Sequence, residues 1–571
     1  MGVADDRDGC DGSGRGPATA LWLVLALGLL LCATLPGALP APARGASAPG
    51  GAAARTPWAL VRAFPRAFDL RHLGRVTEVR QQAHYSTCWA MAAIGSLESN
   101  LLPQSRLDLS ENALVDHSGS RLVFATWAEG HATSRLATAV FARWDGPVLE
   151  RQDPYPRPGD SPEGLRPAVH VQEVLFLPGR RGAADNAALK WALTAHGAVD
   201  TAMAFNARFL RPQSSSYYCS TPGRALNHHV TCVGWDDGYP ASSFRSRPPG
   251  DGALLVKNSW GAAWGEAGYF WVSYYDADFG REMAVFDGAK SAGNYDAIYQ
   301  YDALGWSQSL GFGRETASFA NRFRCAGSGT LAAVAFYTPV PGSAYVVRVA
   351  GSVGGLNAAP RAAAGTIAVA GYHTVTLDAP VEVRRGRDFV AAVQLTTPGS
   401  TRPIPLEAPS ALIAPRAGRR QSYVSSDGVS WTDLTTLPGF GSANVCLKAF
   451  VTASGNGDTK APEATLRDAS ATEGGVARVR WTLTDPPFSC ASATVDLEVL
   501  DARGLVIQSQ RVPAVAVGEA GVWRFRCWLP AGAYRLTARA HDVVGNAQVR
   551  AAGAVLRVTA ARRGARAAAG S

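Results

Sequence analysis

No metal-ligand cluster, glycine-rich phosphate loop or Gly-x-Ser-x-Gly elbow occurs in the 571-residue chain. Zinc hydrolysis, nucleotide-driven phosphoryl transfer and the serine-hydrolase strand-to-helix turn therefore lack their sequence carriers, and no metal or other cofactor is expected. No internal repeat is present, which excludes a solenoid or propeller. Charge is sparse, at 18% of residues, and the net +9 is spread as scattered arginines apart from a tail holding Arg562, Arg563 and Arg566. Without a nucleic-acid-binding motif that excess reads as solubility or attraction to an acidic surface, and no nucleic-acid partner is expected. The one long apolar run, ALWLVLALGLLLCATL from Ala20 to Leu35, is shorter than the ~20 residues that cross a bilayer comfortably. It is followed by an Ala/Pro/Gly-rich stretch and reads as a signal peptide or an uncleaved N-terminal anchor over residues 1–48. The expected location is secreted or cell-surface, with membrane contact only through that segment.

What is present suits a β-rich globular chain. At 571 residues it is too long for one core, and roughly 150 residues per domain suggests three or four units. The 60 glycines and 35 prolines point to many turns. After a short linker or pro-segment (49–67), residues 68–290 mix helix and strand signals. Cys88 to Leu102 has helical spacing, with Ser86 and Thr87 available to cap it. Residues 186–196 read as a second helix closed by Gly197, and 198–205, 229–235 and 253–257 read as strands. This is an α+β domain. From 297 to 453 the helical signals vanish and short apolar runs alternate with turns, the pattern of a β-sandwich. A linker by composition (SGNGDTKAP) precedes a smaller sandwich at 462–559, where Val479, Trp481 and Leu483, then Val495, Leu497 and Val499, recur with period two. Residues 560–571 form the basic tail.

Of nine cysteines, Cys10 and Cys32 fall in the targeting segment, leaving an odd seven and at least one free thiol. Cys325 and Cys446 near the ends of the first sandwich, and Cys490 and Cys527 on neighbouring strands of the smaller one, are each plausible bridges, while Cys219 and Cys232 are left open between pairing and freedom. A thiol acts as a nucleophile only as thiolate, which needs positive potential nearby; the start of a helix supplies it, and Cys88 stands there. Gln82, six residues upstream in VTEVRQQAHYSTCWA, lies in a loop able to fold back, so that its amide joins the Cys88 backbone N–H as a donor to a tetrahedral oxyanion.

The segment FDLRHLGRVTEVRQQAHYSTCWAM (68–91) resembles the active-site segment of papain-like cysteine peptidases. LSENALVD (109–116) is similar to that family's motif after the active-site helix, LNHHVTCVGWDD (226–237) to its histidine strand, and LLVKNSWGAAWGEAGYFWV (254–272) to its asparagine segment. His228 follows Cys88 by 140 residues, the spacing of the family. The resemblance implies a helical subdomain plus a β-barrel-like subdomain, with Cys88 as nucleophile, His228 as proton shuttle, Asn258 orienting the imidazole, Trp260 shielding that bond, Gln82 donating to the oxyanion, and Trp89 in support. Neighbouring strand residues face opposite ways, so only one of His228 and His229 meets Cys88, and the family pattern selects His228. His229 then borders a substrate pocket, which it is expected to narrow or bias toward polar or acidic side chains, with Gly130 and Thr201 as further substrate-binding candidates. Tyr85 stands where many relatives have a disulfide cysteine. About thirty residues separate the apolar run from Phe68, too few for the long helical propeptide of lysosomal members.

YQYDALGW and NVCLKAFV mark a resemblance of the first sandwich to the lectin-like domain attached to some bacterial and archaeal members, and the smaller sandwich resembles an immunoglobulin- or fibronectin-like module. The resemblance thus implies an exported cysteine endopeptidase acting on proteins or peptides, with a cell-surface glycan as a further partner. A surface adhesion protein with a degenerate peptidase domain, and a cysteine acyl transferase, are the alternatives.

Overall fold

The computed structural model describes residues 56–561 except 62, 119–132, 163, 411–412, 454–460, 485–491, 517–519 and 543–545. The apolar N-terminal run, most of the linker, the basic tail, Gly130 and Cys490 lie outside the described residues. Among the described residues no helix is long and apolar enough to cross a membrane.

The chain is α+β, with many strands and few helices. In the first part, among the described residues, four α-helices, α1 (Cys88–Leu101), α2 (Glu111–Asp116), α3 (Ser134–Ala142) and α4 (Ala187–Ala195), accompany strands β1 (Ala67–Asp69), β2 (Val169–Leu177), β3 (Val199–Met203), β4 (His228–Asp236), β5 (Ala253–Lys257), β6 (Tyr269–Ser273) and β7 (Met283–Ser291). The strands run in the order β2-β7-β3-β4-β5-β6, with β1 on β4. Helix α1 is buried nearly all round, which its small residues permit: a Cβ on Gly95 would stand 2.9 Å from Thr231 Oγ1. Ser96 Oγ donates to the Ala198 carbonyl, 2.7 Å, so even the polar residues of this helix are satisfied within the core. Thus α1 lies against β3, β4 and β7. Cys88 opens it, with its sulfur near the backbone N–H of His229 at the start of β4.

The sheet does not end with this part. Strands β8 (Ala297–Tyr299), β9 (Gly329–Thr338), β10 (Gly371–Val383) and β11 (Leu447–Ala453) continue it in the order β8-β11-β9-β10-β2, and with two short strands beyond β6, Ser216–Tyr217 and Leu210–Arg211, the sheet has 13 strands. The junction is antiparallel, with Gly371 opposite Leu175, Tyr372 opposite Val174 and His373 opposite Glu173. Gly371 has φ +148°, and a Cβ there would lie 1.9 Å from the Val174 carbonyl oxygen, so the two backbones meet only because no side chain is present. One apolar cluster spans the seam, uniting Trp89, Ile94 and Phe141 with Trp306, Tyr337, Tyr372 and Phe450. A six-stranded sheet closes the sandwich over another cluster that includes Phe319, Phe336, Val393 and Leu447.

The remaining chain forms three- and five-stranded sheets around Val479, Trp481, Leu483, Val495, Leu497 and Val499, the alternating residues of the sequence. It docks on the first part: Trp191 Nε1 donates to the Ile507 carbonyl (3.1 Å) and Arg511 Nη1 to that of Gly288 (3.0 Å). The expected Cys325–Cys446 bridge is overturned, and Cys527, expected to pair with Cys490, is a free thiol. Cys325 and Cys446 are both free thiols, because Cys325 faces the sandwich interior whereas Cys446 packs into the cluster across the seam. Cys219, Cys232 and Cys527 are also free and buried.

Candidate active site

The loop before α1 and the loop after β5 are stitched together. Gln82 N donates to the Ser259 carbonyl (2.8 Å) and Gly261 N to that of Arg80 (3.0 Å), while Gln81 bridges Trp260. Ser259 Oγ donates to Gln82 Oε1, 2.6 Å, which fixes the amide so that Nε2 faces the turn leading to Cys88. One of its two hydrogens goes to the Tyr85 carbonyl, 2.6 Å, and the other remains for a ligand. Ala83, at φ +56°, takes the left-handed conformation this tight turn requires.

The capping expectation is revised. Thr87 occupies the N-cap, yet its side chain makes no cap bond. Tyr155, in DPYPR, donates its hydroxyl to the Gln82 carbonyl (2.9 Å) and so accepts from Thr87 Oγ1 (2.7 Å), tying the donor loop to the helix start. Its ring also meets Tyr85 edge-on, with centroids 6.4 Å apart. Tyr85 thus takes part in an aromatic brace where a disulfide stands in relatives. A tyrosine between two prolines carries no mark of this role in sequence.

His228 Nε2 donates to Asn258 Oδ1, 2.9 Å, and Ser259 N donates to the same oxygen, 2.9 Å. This fixes the tautomer and leaves Nδ1 as the free face of the ring. Trp260 stacks on the imidazole at 4.7 Å, and Phe205 closes on both rings from the side at 5.9 and 4.9 Å, so the bond is shielded from water. The Cys88 sulfur is surrounded by the backbone N–H groups of His229, Trp89 and Cys88 itself. Burial nevertheless pushes the thiol up to about 11. Burial also takes His228 down to about 4, with the His229 charge adding to the fall and the Asn258 bond opposing it. Each group alone therefore favours its neutral form; the charged pair depends on mutual attraction, the helix N-terminus and the ring of N–H donors.

His229 turns the other way. Its Nδ1 donates to Asp200 Oδ1 (2.8 Å), and Ser134 Oγ donates to Asp200 Oδ2 (2.7 Å). Burial works against charge on His229, but Asp200 outweighs it and the imidazole is raised above its usual value. Thr201 is not brought to the site. It is fully buried, faces the side opposite to His229, and its Oγ1 donates to the Val199 carbonyl (3.2 Å). Trp89 is likewise a core residue. Behind α1, Glu98, Glu111, Arg80 and Lys257 line a polar cavity, where burial and the nearby Glu98 push the Glu111 carboxyl up to about 8. Among the described residues no cluster suited to a metal ion occurs.

A thiol at a helix start, an imidazole held by an amide oxygen and an amide-bearing loop folded back toward them, on this α+β scaffold, are the arrangement of the papain class of cysteine peptidase domains. Residues 64–286 match the profile described as papain family cysteine protease, and residues 298–451 that of the lectin like domain. The chain carries a papain-family domain followed by a lectin-like one. It is 31% identical over 213 residues to Testin-2 of Rattus norvegicus, covering 36% of this chain and 59% of that protein. It is 31% identical over 218 residues to pro-cathepsin H of Medicago truncatula, covering 36% and 56%. The chain thus spans under two thirds of the length of these curated relatives. A crystal structure of the cysteine protease and lectin-like domains of Cwp84, a surface layer associated protein of Clostridium difficile, superposes with TM-score 0.60 at 23% identity, covering 69% of this chain and 90% of that one. Over that shared part the fold, lectin-like sandwich included, is that of Cwp84.

If Gln82 donates to the oxyanion, Gln82→Ala is expected to lower kcat/KM for a peptide about 10²- to 10³-fold, mostly in kcat. Steady-state rates on a fluorogenic peptide check this, and a loss below about threefold would remove Gln82 from the site.

Proposed function

We propose that the chain is an exported cysteine endopeptidase that hydrolyses peptide bonds through Cys88, His228 and Asn258, with Gln82 as oxyanion donor. The observation that supports it most is the His228–Asn258 bond under Trp260, because it presents Nδ1 of a fixed tautomer at the helix start that carries the thiol. The Cys88 sulfur, its proton passed to His228, bonds to the scissile carbonyl carbon, and the carbonyl electron pair moves onto oxygen between the Cys88 N–H and Gln82 Nε2. Collapse of this intermediate breaks the C–N bond as His228 returns the proton to the leaving amine. Water, deprotonated by His228, then attacks the thioester and the thiolate leaves. Export is inferred from the apolar N-terminal run, and the surface-layer association of Cwp84 is consistent with a location outside the cytoplasm.

An epoxide inhibitor of cysteine peptidases tests the reading. The expected result is one adduct per chain, found by mass spectrometry on the peptide containing Cys88 and suppressed by peptide substrate. A folded protein that stays unmodified would sink the proposal.

A further inference from the structure

Two consecutive histidines at the start of β4 are held by different partners. His228 donates to a neutral amide oxygen, Asn258 Oδ1 at 2.9 Å, whereas His229 donates to a carboxylate, Asp200 Oδ1 at 2.8 Å. Asp200 is fully buried and its other oxygen is taken by Ser134 Oγ, so the carboxylate is satisfied on both sides. A buried carboxylate of this kind favours a charged imidazole as its partner. Asp200 therefore favours the protonated form of His229, one residue from the ring that has to gain and lose a proton, while the backbone N–H of His229 points at the Cys88 sulfur.

We propose that the His229–Asp200 ion pair is a positioning device for the catalytic pair: its imidazolium opposes the second positive charge that His228 must carry and its carboxylate opposes the thiolate, so that together they narrow the pH range an isolated Cys88–His228 pair would occupy. The inference rests on the assignment of Cys88 and His228 as the catalytic pair. Among the described residues the groups that face His229 include Cys88 at the start of α1, His228 on its own strand, Asp200 on β3, the Ser134 hydroxyl at the start of α3, and Glu282 just before β7. His229 also borders the cavity that holds Glu98 and Glu111 from the helices, with Arg80 and Lys257.

The signs follow from these charges. The cation on His229 lowers the affinity of His228 for a proton, and the Asp200 carboxylate raises that of the Cys88 thiol. In a pH profile of kcat/KM the acid limb reports thiolate formation and the alkaline limb loss of the His228 proton. His229→Gln keeps a hydrogen-bond donor to Asp200 but removes the cation and leaves the carboxylate uncompensated. Both limbs are then expected to move to higher pH, the alkaline one by about one unit. Asp200→Asn removes the anion and leaves His229 neutral near pH 7. Here the alkaline limb rises while the acid limb falls, and the profile broadens.

Opposite movement of the acid limb in the two variants is a signature that mere loosening of the fold would not produce. The effect of the two charges on His228 itself is measured independently of turnover by NMR titration of ring-labelled His228 in the Cys88→Ser background, for the His229→Gln and Asp200→Asn changes alike. A His228 midpoint that rises in both variants supports the proposal; one that is unchanged or falls in either folded variant overturns it. Because the titration needs no activity, failure of the inference is distinguished from failure of the peptidase assignment, which the epoxide reaction reads separately.

Discussion

Cys88→Ala is expected to lower kcat/KM for peptide hydrolysis by about 10⁴-fold or more while leaving the fold intact. The size follows from what is lost. Without sulfur there is no acyl-enzyme, and the oxyanion donors and bound imidazole can assist only a water attack. The fold survives because Cys88 is a small buried residue at a helix start, its sulfur facing the backbone N–H groups of His229 and Trp89. Removing one atom leaves a small void, costing about 1 kcal/mol. A fluorogenic peptide assay and a thermal melt check the two halves. Retention of more than about 1% of the activity in a well-folded variant would show that another group attacks the carbonyl.

The other large effect belongs to His228. His228→Ala is expected to lose about 10³- to 10⁴-fold in kcat, since no neighbour replaces its Nδ1: Asn258 cannot shuttle a proton, and the His229 ring is bonded to Asp200. Stability falls as well, because Trp260 and Phe205 both pack on the imidazole. His228→Asn fills more of that space and separates the effects, with activity still lost but the melting temperature closer to that of the parent. Parental rates in His228→Asn would transfer the role of base to His229 and reverse the choice between the two.

Much of the fold and the candidate site is legible in the sequence, and the limit has a physical cause. Helix α1 and strands β3, β4 and β5 follow from local periodicity and turn residues, because each element buries a pattern of its own. Cys88, His228 and Asn258 stand out because their strings are long. Tyr155, Phe205, Ser259 and Asp200 do not, since each acts through a partner distant in sequence, as in the 73 residues between Tyr155 and Gln82. The Cys325–Cys446 bridge illustrates the same limit: proximity to the ends of one sandwich is a property of sequence, but the face of the sheet onto which a thiol projects is a property of packing. Thr87 also exchanges a local cap for a tertiary bond to Tyr155, which helix-capping rules do not foresee.

The seam between β2 and β10 has a meaning in time. Glu173 and its partner His373 lie 200 residues apart, so a ribosome adding roughly 5 to 20 residues per second delivers the later strand about 10 to 40 s after the earlier one. Through that interval β2 lacks one neighbour, and part of its edge is open to any extended chain nearby. Completion of the papain-family domain therefore waits on the synthesis of the sandwich that follows it. In a nascent chain the lectin-like segment supplies, in effect, the last strand that the sheet edge at β2 receives.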